Sequence, residues 1–273
     1  MAKKEDKQVS NAGAAIGEQI GKRLESVINE EITKFLEDYK CHFLKETGYN
    51  PYTKKTSKKL LLYDEYGTAY SIDGIITNES MQPLVLLESK YIRYKKHNRD
   101  KGSWICNTHS ALRRRYKSIR SSIAILAGSW STTSLAMIKS ADVAVFLISF
   151  DNIVNILKKY GVDFSWAESD QTTPIAAWYN YAKLSERQKM NIAKQMANLI
   201  KDKLLDYLRE ILDDTKPRSI KELYVEVISS WGETSRENFN KKEDAIKYLE
   251  KLDLDKVFDP STFYTIFDQV EMD

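Results

Sequence analysis

The sequence predicts an α/β fold, in which a mixed central sheet is flanked by helices and followed by a mainly helical C-terminal region. Three observations lead to this class. Apolar residues first repeat at helical spacing, three short strand candidates with tight turns follow, and two wholly apolar runs then alternate with helical segments. The composition agrees with a globular protein, because 42% of the residues are hydrophobic and can form a packed core.

The first predicted element is an amphipathic helix over residues 14–39. Its apolar residues recur at nearly every fourth position, and Val27 and Phe35 widen the stripe. The stripe consists of Ile16, Ile20, Leu24, Ile28, Ile32 and Leu36. Residues 1–12 before it are polar, so we expect them to be frayed.

Three strands are predicted next, over residues 59–63, 68–77 and 83–92. Turn-forming residues at 64–67 and 78–80 separate them. Because short turns between apolar runs join neighbouring antiparallel strands, these segments favour an antiparallel meander.

The following segments alternate between helices and strands. Residues 93–107 are predicted to form a basic loop, and residues 108–121 a helix. The apolar runs at 122–127 and 143–149 are predicted to be buried strands, with a helix over 132–140 between them.

Asp151 is predicted to cap a helix that ends at Tyr160. The C-terminal part of the chain then changes character. Residues 175–213 predict one or two long helices, a hairpin follows, and residues 241–252 predict a closing helix. We therefore predict two domains: a core over residues 1–170 and a mainly helical region over residues 171–273.

Composition argues against several classes of protein. No apolar run reaches the ~20 residues that a membrane span needs, and no signal-peptide-like segment follows the charged N-terminus. The two cysteines, Cys41 and Cys106, argue against a disulfide scaffold, and together with three histidines they argue against a zinc site. We therefore expect a cytoplasmic protein that does not associate with membranes.

Positive charge is concentrated in the first half of the chain. Residues 1–130 hold 23 Lys and Arg against 15 Asp and Glu, a net charge of +8, whereas the remainder holds 19 against 24, a net charge of −5. The densest basic stretch runs from Lys90 to Arg120, with Asp100 as its only acid. Such a stretch is either a solvated face or a surface that binds phosphates.

Two adjacent predicted strands carry isolated charged residues. Asp73 lies in one of them, and Glu88 and Lys90 lie near the end of the next. Since side chains alternate along a strand, Glu88 and Lys90 point to the same face. If the strands pair, Asp73 lies beside Glu88, and neighbouring carboxylates repel unless a cation lies between them. Carboxylates that bind Mg²⁺ and a nearby lysine can hydrolyse a phosphodiester; the alternative is a structural ion pair with a spare acid.

Asp73, followed after a turn by Glu88 and Lys90, resembles the site of the PD-(D/E)xK nuclease superfamily, whose fold many type II restriction endonucleases share. The order of helix, three-stranded meander, helix and strand over roughly residues 14–150 is also similar to that family. Ile72 stands where the family often has proline. The resemblance implies a restriction-endonuclease-like core, Asp73 and Glu88 as Mg²⁺ ligands, and Lys90 as the residue that positions or activates the attacking water.

The family often places one more carboxylate on the first helix. Gly21 followed four residues later by Glu25 resembles that position, which would make Glu25 a catalytic residue. Glu18, Glu30 and Glu31 are competing candidates. The alternative is that Glu25 is an ordinary solvent-facing residue of an amphipathic helix.

Basic and amide side chains after Lys90 are the predicted contacts to DNA. Lysine and arginine neutralise phosphates, and arginine and asparagine can recognise guanine and adenine edges. The predicted DNA-binding residues are Arg93, Lys95, Lys96, Asn98, Arg99, Arg113, Arg114 and Lys117. The alternatives are a mobile loop followed by the exposed face of a helix.

The resemblance thus predicts a Mg²⁺-dependent, sequence-specific endonuclease of double-stranded DNA, namely a type II restriction enzyme. It implies a homodimer, because a palindromic target suits twofold symmetry, and a cognate DNA methyltransferase encoded beside it. The alternatives are a repair or recombination nuclease on the same fold, a DNA-binding module without turnover, and an interaction protein. For residues 171–273, dimerisation, DNA recognition and completion of the core all stay open.

Overall fold

The computed structural model describes residues 12–45, 48–50, 55–57, 60–167, 169–170 and 172–265. It is an α/β protein built on a five-stranded mixed sheet. The chain forms two compact units, Met1–Asp213 and Asp214–Asp273. No helix in the described ranges is both long enough and apolar enough to cross a membrane.

The first unit contains the central sheet and most of the helices. Its helices are α1 (Ala12–Phe35), α2 (Asn98–Arg115), α3 (Thr132–Ser140), α4 (Phe150–Lys158), α5 (Thr173–Lys183), α6 (Glu186–Asn198) and α7 (Lys201–Leu212). Its strands are β1 (Cys41–Leu44), β2 (Gly48–Asn50), β3 (Lys55–Ser57), β4 (Leu60–Tyr63), β5 (Ala69–Ile72), β6 (Gly74–Asn78), β7 (Pro83–Ile92), β8 (Ser121–Gly128) and β9 (Val143–Ser149). Short 3₁₀ turns lie at Leu36–Asp38 and Lys95–His97.

The central sheet has the strand order β1-β6-β7-β8-β9. The β1–β6 and β6–β7 pairs are antiparallel, whereas β7, β8 and β9 run parallel. Helices α2 and α3 provide the crossovers that parallel neighbours require. Strand β8 is buried along its whole length, as expected for an apolar strand that is covered on both faces.

Helices cover both faces of the sheet. Helices α1 and α4–α7 share one apolar core with side chains such as Val85 and Leu87 of β7. Helices α2 and α3 pack on the other face, where Ile92 of β7 joins Ile105 and Ile138. The period-two alternation of β7 therefore divides its side chains between two cores.

The strand predicted over residues 68–77 is broken at Asp73 into β5 and β6. Strand β5 pairs with β4 as a separate two-stranded sheet, and β6 pairs instead with β1, a strand that the sequence analysis did not predict. The antiparallel pairing predicted between the strands 59–63, 68–77 and 83–92 is confirmed for the described residues, because β4 pairs with β5 and β6 pairs with β7. The break at Asp73, which places the β4–β5 pair in a sheet of its own, was not predicted. The predicted bounds of the strands 83–92 and 143–149 and of the helix 132–140 are confirmed.

Helix α2 begins at Asn98, inside the segment that was predicted to be a loop. The buried stripe of this helix includes Asn98, Gly102 and His109 between the apolar residues Ile105 and Leu112. Because polar residues and glycine occupy buried positions, the apolar periodicity that indicates a helix is weak in this segment.

Helices α5–α7 belong to the first unit, so the structure divides the chain at Asp213, whereas the sequence analysis placed a boundary near residue 170. The reason is packing: Ile192, Met196 and Leu208 lie in the same apolar cluster as the stripe of α1. In the absence of pairing information, sequence periodicity shows that a helix has an apolar face but does not show which surface that face covers.

The second unit is a small hairpin with helices. It contains β10 (Leu223–Ile228), β11 (Thr234–Phe239), α8 (Lys242–Glu250), α9 (Leu254–Val257) and a 3₁₀ turn at Pro260–Thr262. Strands β10 and β11 are antiparallel, as the sequence predicted. Among the described residues of this unit, Ala245 is the only buried apolar residue.

Candidate active site

Asp73 lies at a fork in the sheet. It occupies the bend between β5 and β6, where the chain passes from the small β4–β5 sheet to the central one. Gly74 pairs with Leu87, and this register brings Asp73 beside Glu88. The Ser89 backbone N–H donates to Asp73 Oδ2 at 2.9 Å, so the carboxylate takes the place of a strand partner at that position.

Lys90 links the two acids. Its Nζ lies 2.8 Å from Asp73 Oδ2 and 2.5 Å from Glu88 Oε1. Glu88 and Lys90 are on the same face of β7, as the alternation of the strand predicted. The structure therefore brings together the three residues on which the sequence prediction depended.

The buried surroundings of this cluster shift its ionisation. Glu88 is 2% exposed, and burial raises the pKa of Glu88 to about 7, although Lys90 opposes the rise. Burial by itself would lower the pKa of Lys90, but Glu88 and Asp73 outweigh burial and the pKa is raised. Lys90 is therefore a cation at neutral pH.

Glu25 of α1 faces the same cleft. A small pocket is lined by Glu25, Asn29, Asp73 and Glu88 together with apolar neighbours. Burial raises the pKa of the Glu25 carboxyl, and the charge of Asp73 raises it further. Glu25 is therefore close to the other two acids, Asp73 and Glu88.

The competing glutamates of the first helix lie elsewhere. Glu18 forms an exposed ion pair with Lys22, and Glu31 pairs with Lys201 of α7 at 3.2 Å. Glu30 is exposed. Of the four candidates, only Glu25 lines the cleft in the described structure.

Gly17 allows α1 to approach β7 closely enough to place Glu25. A Cβ added to Gly17 would lie 2.6 Å from Cε1 of Tyr91, and one added to Gly21 would lie 3.4 Å from Cβ of Tyr91. The Tyr91 ring therefore occupies the space that a side chain at position 17 would need. Since residues four apart share a helix face, Gly17, Gly21 and Glu25 all face β7.

We expect Gly17→Ala to destabilise the protein and Gly21→Ala to leave it unchanged or more stable. At position 17 the clash with Tyr91 should cost about 1–3 kcal/mol, whereas at position 21 alanine gains up to about 1 kcal/mol of helix propensity. Urea unfolding of both variants measures the difference. Equal stabilities for the two variants would contradict the close approach of α1 and Tyr91.

A hard divalent cation such as Mg²⁺ requires oxygen ligands. Among the described residues, no group of three or more His, Cys, Asp or Glu side chains is arranged to hold a metal, and the Lys90 ammonium lies between the carboxylates of Asp73 and Glu88. However, Glu88 Oε2 is buried and has no hydrogen-bond partner in the described part of the chain. An oxygen-only set of Asp73, Glu88 and Glu25 fits Mg²⁺ in chemical type.

Two of the predicted DNA contacts are buried, which corrects their assignment. Arg93 is 9% exposed, its guanidinium lies 3.7 Å from the ring centroid of Trp166 and 4.3 Å from that of Phe164, and it donates to the Phe164 carbonyl at 2.9 Å. Asn98 is 2% exposed. Neither side chain can reach DNA, because Arg93 is held in an aromatic cage and Asn98 lies on the buried stripe of α2.

Five other predicted DNA contacts lie at the surface in two groups. Lys95, Lys96 and Arg99 are exposed near the N-terminal end of α2. Arg114 and Lys117 are exposed near its other end. About 15 residues separate the groups, which corresponds to roughly 20 Å along a helix, so the two groups cannot bind the same phosphate.

Arg113, at the C-terminal end of α2, is half-buried and donates to the Asp142 carbonyl at 3.2 Å. His109 and Thr108, two buried polar residues of α2, were not among the predicted site residues. A helix assigned from residue 98 onwards would have placed His109 on the buried stripe with Ile105 and Leu112.

Comparison with known proteins adds little to this geometry. No protein-family profile matches the chain, and no curated protein matches it. The crystal structure of AF1548, a protein of unknown function, is similar at a TM-score of 0.31 and 8% sequence identity, over 67% of this chain and 99% of that chain. A likeness at this level carries no argument about fold or activity.

Proposed function

We propose that this chain is a Mg²⁺-dependent, sequence-specific endonuclease of double-stranded DNA, a type II restriction enzyme with the restriction-endonuclease-like core of the PD-(D/E)xK superfamily. One observation carries the proposal: Lys90 lies between Asp73 and Glu88 at the fork of the sheet, and Glu25 faces the same cleft.

The charge balance of the cluster argues against a purely structural ion pair. Asp73, Glu88 and Glu25 provide three carboxyl groups around one lysine, and Glu88 Oε2 is buried without a partner in the described structure. A structural pair is stabilising only when its remaining hydrogen-bonding groups are satisfied. Polar groups that converge with shifted pKa values in a cleft more often mark a functional site.

Asp73 and Glu88 would hold the Mg²⁺ ion, which when bound supplies stabilisation of the negative charge on the phosphoryl oxygens. Lys90, a cation at neutral pH, orients the attacking water and balances charge that builds up on the phosphate. Glu25 has a raised pKa, which suits a group that accepts a proton from that water. The product is a cleaved phosphodiester with one new hydroxyl and one new phosphate end.

The distribution of charge supports a nucleic-acid substrate for the first unit. Lys95 and Lys96 are exposed in the 3₁₀ turn after β7, and Arg99 is exposed in the first turn of α2. Such groups bind phosphates. The second unit holds 9 Lys and Arg against 14 Asp and Glu, so its net charge does not favour contacts to a DNA backbone.

Further parts of the proposal follow from the enzyme class. A palindromic target would bring two copies of the chain together as a homodimer. A cognate DNA methyltransferase would protect the cell's own sites, and the protein would act in the cytoplasm. These statements depend on the nuclease proposal.

Cleavage of plasmid and phage DNA in the presence of Mg²⁺ tests the proposal. We expect the wild type to give discrete fragments, and Asp73→Ala and Lys90→Ala to give none, because each removes a group that contacts the metal or the reacting water. Glu30→Gln is a matched control, since Glu30 is an exposed acid on α1 outside the cleft.

The pattern of products separates the alternatives. Cleavage of branched or single-stranded DNA without discrete fragments would favour a repair or recombination nuclease. DNA binding without cleavage by any variant would favour a binding module and contradict the proposed activity.

A further inference from the structure

Helix α2 covers the face of β7 on which Glu88 and Lys90 lie. At one end of the contact, Leu86 of β7 shares an apolar cluster with Leu112 of α2. At the other end, Ile92 of β7 shares a cluster with Ile105 of α2. The helix and the strand therefore run in opposite directions, with apolar contacts at both ends of the segment.

Polar residues face one another between these two apolar contacts. On β7 the intervening residues on this face are Glu88 and Lys90, because side chains alternate. On α2 the buried residues between Ile105 and Leu112 are Thr108 and His109, each 1% exposed. His109 is thus placed opposite the Glu88–Lys90 pair, and Lys90 is the charged group that acts on it most strongly.

Several polar atoms in this space have no hydrogen-bond partner within the described residues. They are Glu88 Oε2, Thr108 Oγ1 and both ring nitrogens of His109. The Lys90 ammonium has three N–H donors. Two of them are directed to Asp73 Oδ2 and Glu88 Oε1, so one more can donate to a further acceptor. Buried polar groups are nearly always paired with protein or with ordered water, so this arrangement calls for a partner.

The unmet groups are complementary to a neutral imidazole. Glu88 Oε2 needs a donor and Lys90 needs an acceptor, and a neutral imidazole provides one of each. Burial lowers the pKa of His109 to about 4, with Lys90 and Arg113 lowering it further and Asp73 opposing them. His109 is therefore neutral at physiological pH.

We propose that His109 is a positioning residue for the Glu88–Lys90 pair: its N–H is linked to Glu88 Oε2, and its other nitrogen to Lys90, through buried water. In this way it fixes the carboxylate and the ammonium from the side opposite α1. The inference rests on the proposed function, in which this pair belongs to the catalytic machinery. Thr108 Oγ1 offers a further hydrogen bond to such a water.

Three variants test this role. His109→Leu keeps an apolar shape but removes both nitrogens, His109→Gln keeps a donor and an acceptor, and Ile105→Val is a packing control one helical turn away. For each we would measure the melting temperature, the affinity for uncleaved DNA, and the rate of cleavage with enzyme in excess over DNA.

For His109→Leu we expect a lower melting temperature than that of the wild type, because buried Glu88 Oε2 and Lys90 lose the group that pairs with them. Its cleavage rate should fall by about tenfold or more, as for other residues that orient metal ligands, while its DNA affinity stays unchanged. His109→Gln should recover part of the rate. If the two variants His109→Leu and Ile105→Val lose cleavage rate in the same proportion to their loss of melting temperature, the proposal is overturned. His109 would then be a packing residue.

A second measurement does not depend on cleavage. In metal-free protein, the rate at which trinitrobenzenesulfonate modifies Lys90, followed by peptide mass spectrometry, reports how firmly the amine is held. We expect faster modification in His109→Leu and no change in Ile105→Val; equal rates in the two variants would overturn the positioning role. If the wild type cuts no DNA, the proposed function fails, and this measurement still decides the role of His109.

Discussion

Replacing Lys90 by alanine is expected to destabilise the metal-free protein and to abolish cleavage, and added Mg²⁺ is expected to restore only the stability. The reason is that Lys90 is the cation between Asp73 and Glu88. Without it, two neighbouring carboxylates repel each other in a largely buried place. A bound divalent cation can replace the lost positive charge, but under the proposed function it does not take over the role of Lys90 towards the reacting water.

The size of the destabilisation follows from burial. Removing one partner of a buried ion pair costs about 3–5 kcal/mol. The side chains of Lys90 and Asp73 are 22% and 32% exposed, and partial exposure screens the interaction, so we expect a loss of about 2 kcal/mol.

Urea unfolding with and without Mg²⁺ measures this effect. Lys22→Ala is the matched control, since Lys22 pairs with Glu18 on the exposed side of α1, and its loss should change stability by less than about 1 kcal/mol. Mg²⁺ should stabilise Lys90→Ala more than it stabilises the wild type. If Mg²⁺ stabilises both equally, the carboxylates of Asp73 and Glu88 are not a cation site.

Replacing Arg93 by alanine is expected to cause the largest loss of stability of any basic residue near the site. Its guanidinium stacks on Trp166 and Phe164 and donates to both of their backbone carbonyls. The cage thereby ties the end of β7, three residues beyond Lys90, to the chain segment that follows α4. Truncation leaves a cavity and unpaired carbonyls, for which we expect about 3–5 kcal/mol.

Two further variants, Arg93→Lys and Arg99→Ala, distinguish a role in stability from a role in DNA binding. Lysine cannot stack flat and donate to two carbonyls at once, so Arg93→Lys should also be destabilised. Arg99 is exposed, and Arg99→Ala should weaken DNA binding without loss of stability. Urea unfolding and DNA-binding titrations measure both properties. Weakened DNA binding by Arg93→Ala at unchanged stability would show that Arg93 contacts DNA after all.

Local periodicity determined much of this protein from the sequence alone. The bounds of β7, α3 and β9 were predictable because each is a continuous apolar run or a clear helical stripe. The common face of Glu88 and Lys90 followed from the alternation of a strand. The neighbouring position of Asp73 followed from the short turn that makes β6 and β7 adjacent.

Contacts between distant segments decided the rest. The choice of Glu25 over Glu31 depends on which face of α1 meets β7, and Gly17 and Tyr91 set that approach. The sequence predicts that Arg93 contacts DNA, but Phe164 and Trp166, about 70 positions further along the chain, enclose its side chain. His109 lies opposite Glu88 and Lys90 only because α2 packs back along β7. Periodicity gives the face of an element, and only tertiary packing determines what that face meets.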